Sequence, residues 1–171
     1  MSSPLPLRPA RREDCPAISA IYNHYVEHDT CTYQTEPESL SDRQAWFDKH
    51  GPRHPVFVAE SDGAIVGWAS LSPYNLRHGY RMTVEDSVYL DPTWRGRGLG
   101  TALLRHLIDA ARACGHHTII AAISAEQAPS VALHARAGFV EAGRLTQVGH
   151  KFGRWLDVLY MQLVLESPAS G

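Results

Sequence analysis

Apolar positions recur along the chain with two periods, and the switches between them mark out the elements. Residues 5–10 can form a short first strand. Ile18, Ile21, Tyr22 and Tyr25 then fall on one helical face, in a helix that Asp14 can cap, that tolerates Pro16 in its first turn and that runs to about Glu27. A polar, β-branched segment over 29–37 reads as an extended loop, after which Ser39 or Ser41 can cap a second helix carrying Trp46 and Phe47 and closed by Pro52 and Pro55. Residues 56–60 and 65–71, joined through Asp62-Gly63, give a hairpin signal. A loop over 73–81 leads to a strand over 84–90, ended by Asp91-Pro92 because proline has no N–H for a ladder and restricts its predecessor. Leu99, Leu103, Leu107 and Ala111, flanked by Leu104 and Ile108, have helical spacing up to Gly115. A buried strand over 118–123 and a short helix over 129–137, stopped by Gly138-Phe139, come next. Two strands over 140–148 and 155–165 then flank a turn at 151–154, and the tail over 167–171 is expected to be disordered. The order β, α, α, β, β, β, α, β, α, β, β implies an α/β fold, a mixed sheet with helices on both faces. No repeat or linker divides residues 1–171, so one domain is expected.

Composition narrows the function classes. Sixteen basic against eighteen acidic residues give a net charge of −2, so no strong field favours nucleic acid or an anionic membrane. No apolar run is long enough for a signal peptide or a membrane span. Three cysteines, Cys15, Cys31 and Cys114, form an odd set without C-x-x-C spacing, which fits free thiols in the cytosol.

The strongest local signal is Arg95-Gly96-Arg97-Gly98-Leu99-Gly100, set between a strand and a helix. Glycines bring several N–H groups close to a ligand, the new helix adds its unpaired first-turn donors, and two arginines supply full charge. These features make a pyrophosphate cradle. The spacing matches neither G-x-G-x-x-G nor the P-loop. Arg-x-x-Gly-x-Gly in this setting resembles the acetyl-coenzyme A loop of the GNAT acyltransferase superfamily, whose element order is also this one. Within it the chain looks most like the phosphinothricin and methionine sulfoximine acetyltransferase branch. That likeness rests on Asn23-His24-Tyr25, the run from Tyr33 to Pro37, Arg77 to Tyr80, Thr83-Val84-Glu85, Val88-Tyr89, Pro129-Ser130-Val131 with Leu133-His134, and Gly149-His150-Lys151 with Trp155 and Asp157-Val158. It spans residues 5–165.

The resemblance implies acetyl-CoA as cosubstrate, held by Arg95, Gly96, Arg97, Gly98, Leu99, Gly100 and Thr101. Val88, Tyr89 and Leu90 would pair with the pantetheine arm, and a backbone N–H near Val88 would meet the oxyanion. Glu85 matches the family's general base; Asp86, on the opposite face by alternation, suits a strand-surface ion pair with an arginine. His134 stands where many relatives have a tyrosine acid, and Gln127 stands where an asparagine commonly contacts the coenzyme, with Ser130 in place. Tyr33, Thr35, Arg77, Tyr80 and Lys151 are the implied acceptor residues, and Arg154 adds a basic group suited to an anionic substrate. No metal is expected: His24 and His28 have no glutamate between them in the zinc-protease pattern, and His116-His117 has no nearby Cys or Asp partner in sequence. No nucleophile elbow appears, which favours direct transfer, with Cys31 and Cys114 left open as acyl carriers. The branch implies a homodimer. The rival readings are transfer to a polyamine, a protein N-terminus or lysine, and a coenzyme A sensor without catalysis.

Overall fold

The computed structural model describes residues 6–165; Leu5 of the expected first strand and the expected disordered tail lie outside the described residues. In chain order the elements are β1 (Leu7–Pro9), α1 (Cys15–His28), α2 (Leu40–Asp48), β2 (Val56–Ser61), β3 (Ala64–Pro73), β4 (Thr83–Leu90), α3 (Leu99–Ala113), β5 (Thr118–Ser124), α4 (Ala128–Arg136), β6 (Val140–Lys151) and β7 (Arg154–Val164). They build one sheet in the order β1-β2-β3-β4-β5-β7-β6. Its pairs are antiparallel except β4 with β5, the pair that α3 crosses over to connect.

Side-chain alternation along β4 assigns the two faces. Val84, Val88 and Leu90 turn toward α3, whose Leu103, Leu104 and Leu107 are fully buried. Tyr89 turns the other way, with Trp68, toward Ile18, Ile21 and Tyr25 of α1. Full burial of a leucine such as Leu107 contributes about 1.5–3 kcal/mol. On the α1 face Arg43 is buried among the rings of Tyr22, Trp46 and Trp68 and pairs with Glu38.

Two helix ends follow the expected chemistry and one does not. Ser39 caps α2 in a reciprocal box with Asp42. Gly115, at φ +73°, closes α3: its N–H bonds Arg112 and that of His116 bonds Ala111. Asp14 does not cap α1 with its side chain; the carboxylate accepts from the Arg11 N–H and the Arg8 guanidinium instead. Arg8 accordingly holds the Asp14 carboxyl below its ordinary range. The last hairpin is longer than expected, because register shifts between Glu141 and Gly143 and between Leu145 and Gly149 absorb extra residues.

The feature that positions the site is a fork in the sheet. β4 pairs with β3 from Val84 to Leu90, but with β5 only from Thr83 to Glu85. β5 continues on β7 as far as Ser124. From Asp86 onward β4 and β5 therefore part, and a gap opens toward the carboxyl ends of two parallel strands, where open α/β sheets bind ligands.

Candidate active site

A cavity of about 790 Å³ fills this fork. On the α3–α4 face it is lined by Gly96, Gly98, Gly100, Thr101, Ser130 and His134; on the α1 face by Glu85, Tyr89, Cys31, Thr32 and Tyr33. Val88 and Leu90 line it between. One continuous space thus passes through the sheet, with unpaired β4 backbone along its wall.

The glycine turn has a shape that fits a diphosphate. Gly96 and Gly98 sit at φ +74° and +81°, and no neighbouring atom lies within 4 Å of where a Cβ would stand. Gly98 is the N-cap of α3 and offers no capping side chain, so the first-turn N–H groups remain for a ligand. Arg95 lines the cavity; its Nε donates to the Tyr25 hydroxyl at 3.2 Å and its Nη2 to Asp29 at 3.3 Å. Gln127 also lines it, and its Nε2 donates to the other Asp29 oxygen at 2.6 Å. Left-handed backbone costs an L side chain about 1–2 kcal/mol. Gly98→Ala is therefore expected to weaken acetyl-CoA binding about tenfold; unchanged affinity by calorimetry would remove this turn from the site.

The expected coenzyme residues divide. Arg97 lies outside the lining, over the Trp94 ring at 4.8 Å, and Leu99 is a core residue. Arg136 lines the cavity without having been singled out in the sequence. Among the acceptor residues Tyr33 lines the cavity, its hydroxyl donating to the Asp157 carbonyl, whereas Thr35, Arg77 and Tyr80 are exposed and outside it. Lys151 is not there either: it is 3% exposed and its ammonium donates to three backbone carbonyls. Arg154 is paired with Glu126 on the surface rather than free for an anion.

Glu85 lies half-buried on the α1 face, and burial, with the neighbouring Asp86 charge, pushes its carboxyl above the ordinary 4.5. Asp86 corrects the sequence expectation. It is not paired with an arginine at the surface; it is buried on the α4 face, with Oδ2 2.9 Å from Nε2 of His134. Those residues are 48 apart in sequence, and no local pattern announces their contact. Cys31 lines the cavity with its thiol pushed up to about 12, by burial first and then by Asp29. Among the described residues no group of three His, Cys, Asp or Glu is placed to hold a metal, and no helix is long and apolar enough to cross a membrane.

A forked sheet with a glycine turn shaped for a diphosphate on one face and a half-buried carboxylate on the other fits an acyltransferase that takes a coenzyme A thioester. Residues 18–139 match the Acetyltransferase (GNAT) family. The chain is 42% identical to the L-methionine sulfoximine/L-methionine sulfone acetyltransferase of Salmonella typhimurium, with 96% of each covered. It is 37% identical to the phosphinothricin N-acetyltransferase of Streptomyces viridochromogenes, over 97% of this chain and 91% of that one. The solved structure of yncA from Salmonella typhimurium with its cofactor acetyl-CoA superposes with a TM-score of 0.93 at 41% identity, covering 99% of this chain and 98% of that one. The chain belongs to the GNAT family and is an acetyl-CoA-dependent N-acetyltransferase.

Proposed function

We propose that this chain acetylates the α-amino group of a small amino-acid-like acceptor of the methionine sulfoximine, methionine sulfone or phosphinothricin type. The observation that carries the reading is the cavity through the sheet, which joins the glycine turn to Glu85. When bound, acetyl-CoA supplies a thioester carbonyl open to attack. The residues proposed to hold it are Arg95, Gly96, Gly98, Gly100 and Thr101 at the diphosphate and Val88, Tyr89 and Leu90 along the arm, with Gln127 and Ser130 beside them. Arg97 and Leu99 support the turn through Trp94 and the core.

The acceptor arrives as an ammonium, and its nitrogen loses two protons in all: one before or during attack, one as the amide forms. A carbon–nitrogen bond forms, the carbon–sulfur bond breaks, and one proton ends on the coenzyme sulfur. Glu85, kept basic by burial, is the proposed acceptor of the first proton, directly or through a water. An N–H near Val88 is the proposed partner of the developing oxyanion. A thiol held near 12 has too little thiolate at neutral pH to serve as an acyl carrier, which supports direct transfer over an acetyl-Cys31 intermediate.

The acceptor class rests on the relatives. Arg77, which would fork onto an anionic group, lies outside the cavity, so it gives selection for an acidic acceptor no support there. The test is thiol release from acetyl-CoA across methionine sulfoximine, methionine sulfone, phosphinothricin, common amino acids, a polyamine and short peptides. Preference for the first three supports the reading. Preference for the polyamine or peptides would replace it, and no turnover with any would favour a coenzyme A sensor.

We also propose a cytoplasmic homodimer. The three cysteines are free thiols. β6 lies at the sheet edge, and Leu145, Val148, Phe152 and Trp155 are 46–62% exposed beside it, more apolar surface than an edge strand ordinarily leaves open. Light scattering is expected to give twice the chain mass; a monomer at micromolar concentration would refute it.

A further inference from the structure

Asp86 is the first residue of β4 beyond its last rung with β5, at the point where the sheet forks. Its carboxylate meets His134 of α4 across that point, with the two side chains 2% and 6% exposed. The ring of His134 is spoken for at both nitrogens. Nδ1 lies 2.8 Å from the Ser130 carbonyl one turn earlier, and a carbonyl accepts only, so Nδ1 carries a proton. Nε2 lies 2.9 Å from Asp86 Oδ2. Phe139 stands edge-on to the ring, at 5.0 Å between centroids. The second carboxylate oxygen, Oδ1, is buried without a hydrogen-bond partner, so His134 is the group that neutralises Asp86. A buried carboxylate with one partner strongly disfavours losing that partner's charge.

We propose that Asp86 is a positioning residue for acetyl transfer: it pins the His134 ring as an imidazolium whose two N–H groups are both spent, so the α4 wall of the cavity presents a fixed, internally neutralised pair rather than a transferable proton. This rests on the acetyltransfer reading above, and it changes the role that the resemblance implies for His134. A proton given up by His134 would leave Asp86 charged, buried and unpaired. The same carboxylate acts on the other face, where its charge helps keep Glu85 basic. One side chain at the fork thereby acts on both faces, on Glu85 second to burial.

The energetics agree with the geometry. Burial alone drives the ring toward its neutral form, but the Asp86 bond and charge, helped by the Ser130 carbonyl, outweigh it and hold His134 above its ordinary 6.5. Among the described residues Asp86 is the charged group that acts on the ring; α4 contributes the Ser130 carbonyl, and Phe139 is uncharged. Because the folded value is raised, the protonated ring's contribution to stability is full below 6.5 and is lost as pH rises through the folded value.

The experiment is the ring-nitrogen NMR titration of His134 in the ligand-free protein, comparing wild type with Asp86→Asn. Wild-type His134 is expected to stay doubly protonated at pH 7, and D86N to lower its proton affinity by about tenfold or more. The decline of melting temperature with rising pH should be absent in D86N, and the alkaline limb of kcat should move to lower pH. A neutral His134 in the wild type at pH 7, or an unchanged titration in D86N, would overturn the proposal. A double-mutant cycle covers poor folding of a single variant: D86N/H134Q should be more stable than H134Q alone, and strict additivity would also overturn it. The NMR and stability readouts stand whether or not any acceptor turns over, so the failure of one reading is not mistaken for failure of the other.

Discussion

Glu85→Gln is expected to lower turnover by about 10²–10⁴-fold, the usual range for losing a general base, while leaving acetyl-CoA affinity unchanged. The glycine turn proposed to hold the diphosphate lies on the opposite face of the sheet from Glu85, and amide replaces carboxylate with almost the same volume. The pH profile gives a second signature. The proposed base, Glu85, can act only when ionised, and burial together with Asp86 holds its carboxyl above 4.5, so the acid limb of kcat/KM should lie above that value and vanish in the variant. Stability should move the other way from activity. A carboxyl whose folded value is raised binds its proton more tightly in the folded state, so folding loses stability as pH climbs through and beyond 4.5. E85Q removes that penalty and should melt no lower than the wild type at pH 7. Initial rates over a pH series, set beside calorimetric acetyl-CoA binding, decide it; full turnover with an unmoved acid limb would assign the base elsewhere.

The sequence makes most of the fold legible because its signals are local. Strand alternation before Asp91-Pro92, the glycine turn and the helical run from Leu99 sit next to one another, and each limits what its neighbour can be. Residues that the backbone itself delivers to the cavity, from Gly96 to Thr101 and from Val88 to Leu90, follow from that order, with Arg97 and Leu99 turned aside by Trp94 and the core. What sequence cannot supply is which face of β4 meets which helix. Alternation separates Glu85 from Asp86 correctly, yet a carboxylate facing α4 and one facing solvent have the same pattern along the strand. The partner that distinguishes them, His134, arrives through a helix two elements later. The same reason hides Asp29, whose two oxygens join Arg95 to Gln127, and it makes Lys151 look like an acceptor residue: a basic residue in a predicted hairpin turn reads as a solvated or ligand-facing charge. The register shifts that lengthen β6 carry it into the strand instead and turn its side chain inward.

Lys151 therefore supports a prediction opposite to the one its sequence position suggests. Its ammonium has three protons and donates all three: to the Tyr25 carbonyl at 3.2 Å, the Asp29 carbonyl at 2.7 Å and the Thr32 carbonyl at 2.8 Å. The first belongs to the last turn of α1, where the helix dipole favours a cation. The other two belong to the loop after α1, which carries Asp29, Cys31, Thr32 and Tyr33 past the cavity. That loop is also pressed against β6, since a Cβ on Gly149 would stand 2.3 Å from the Tyr33 ring. Lys151→Met keeps the stem but strips the donors. The Tyr25 carbonyl retains the Asp29 N–H, so two carbonyls lose their partner, at about 1–3 kcal/mol each. The expected loss, about 2–6 kcal/mol, is a large share of the 5–15 kcal/mol typical of a folded domain. Hydrogen exchange should locate it at amides 29–33. Because Asp29 also braces Arg95 and Gln127, acetyl-CoA affinity should fall together with acceptor affinity. A lysine that merely touched the acceptor would behave differently, raising acceptor KM alone and leaving denaturation and exchange as they were. Denaturant titration of K151M separates these outcomes, and an unshifted midpoint with unchanged protection would return Lys151 to the acceptor site.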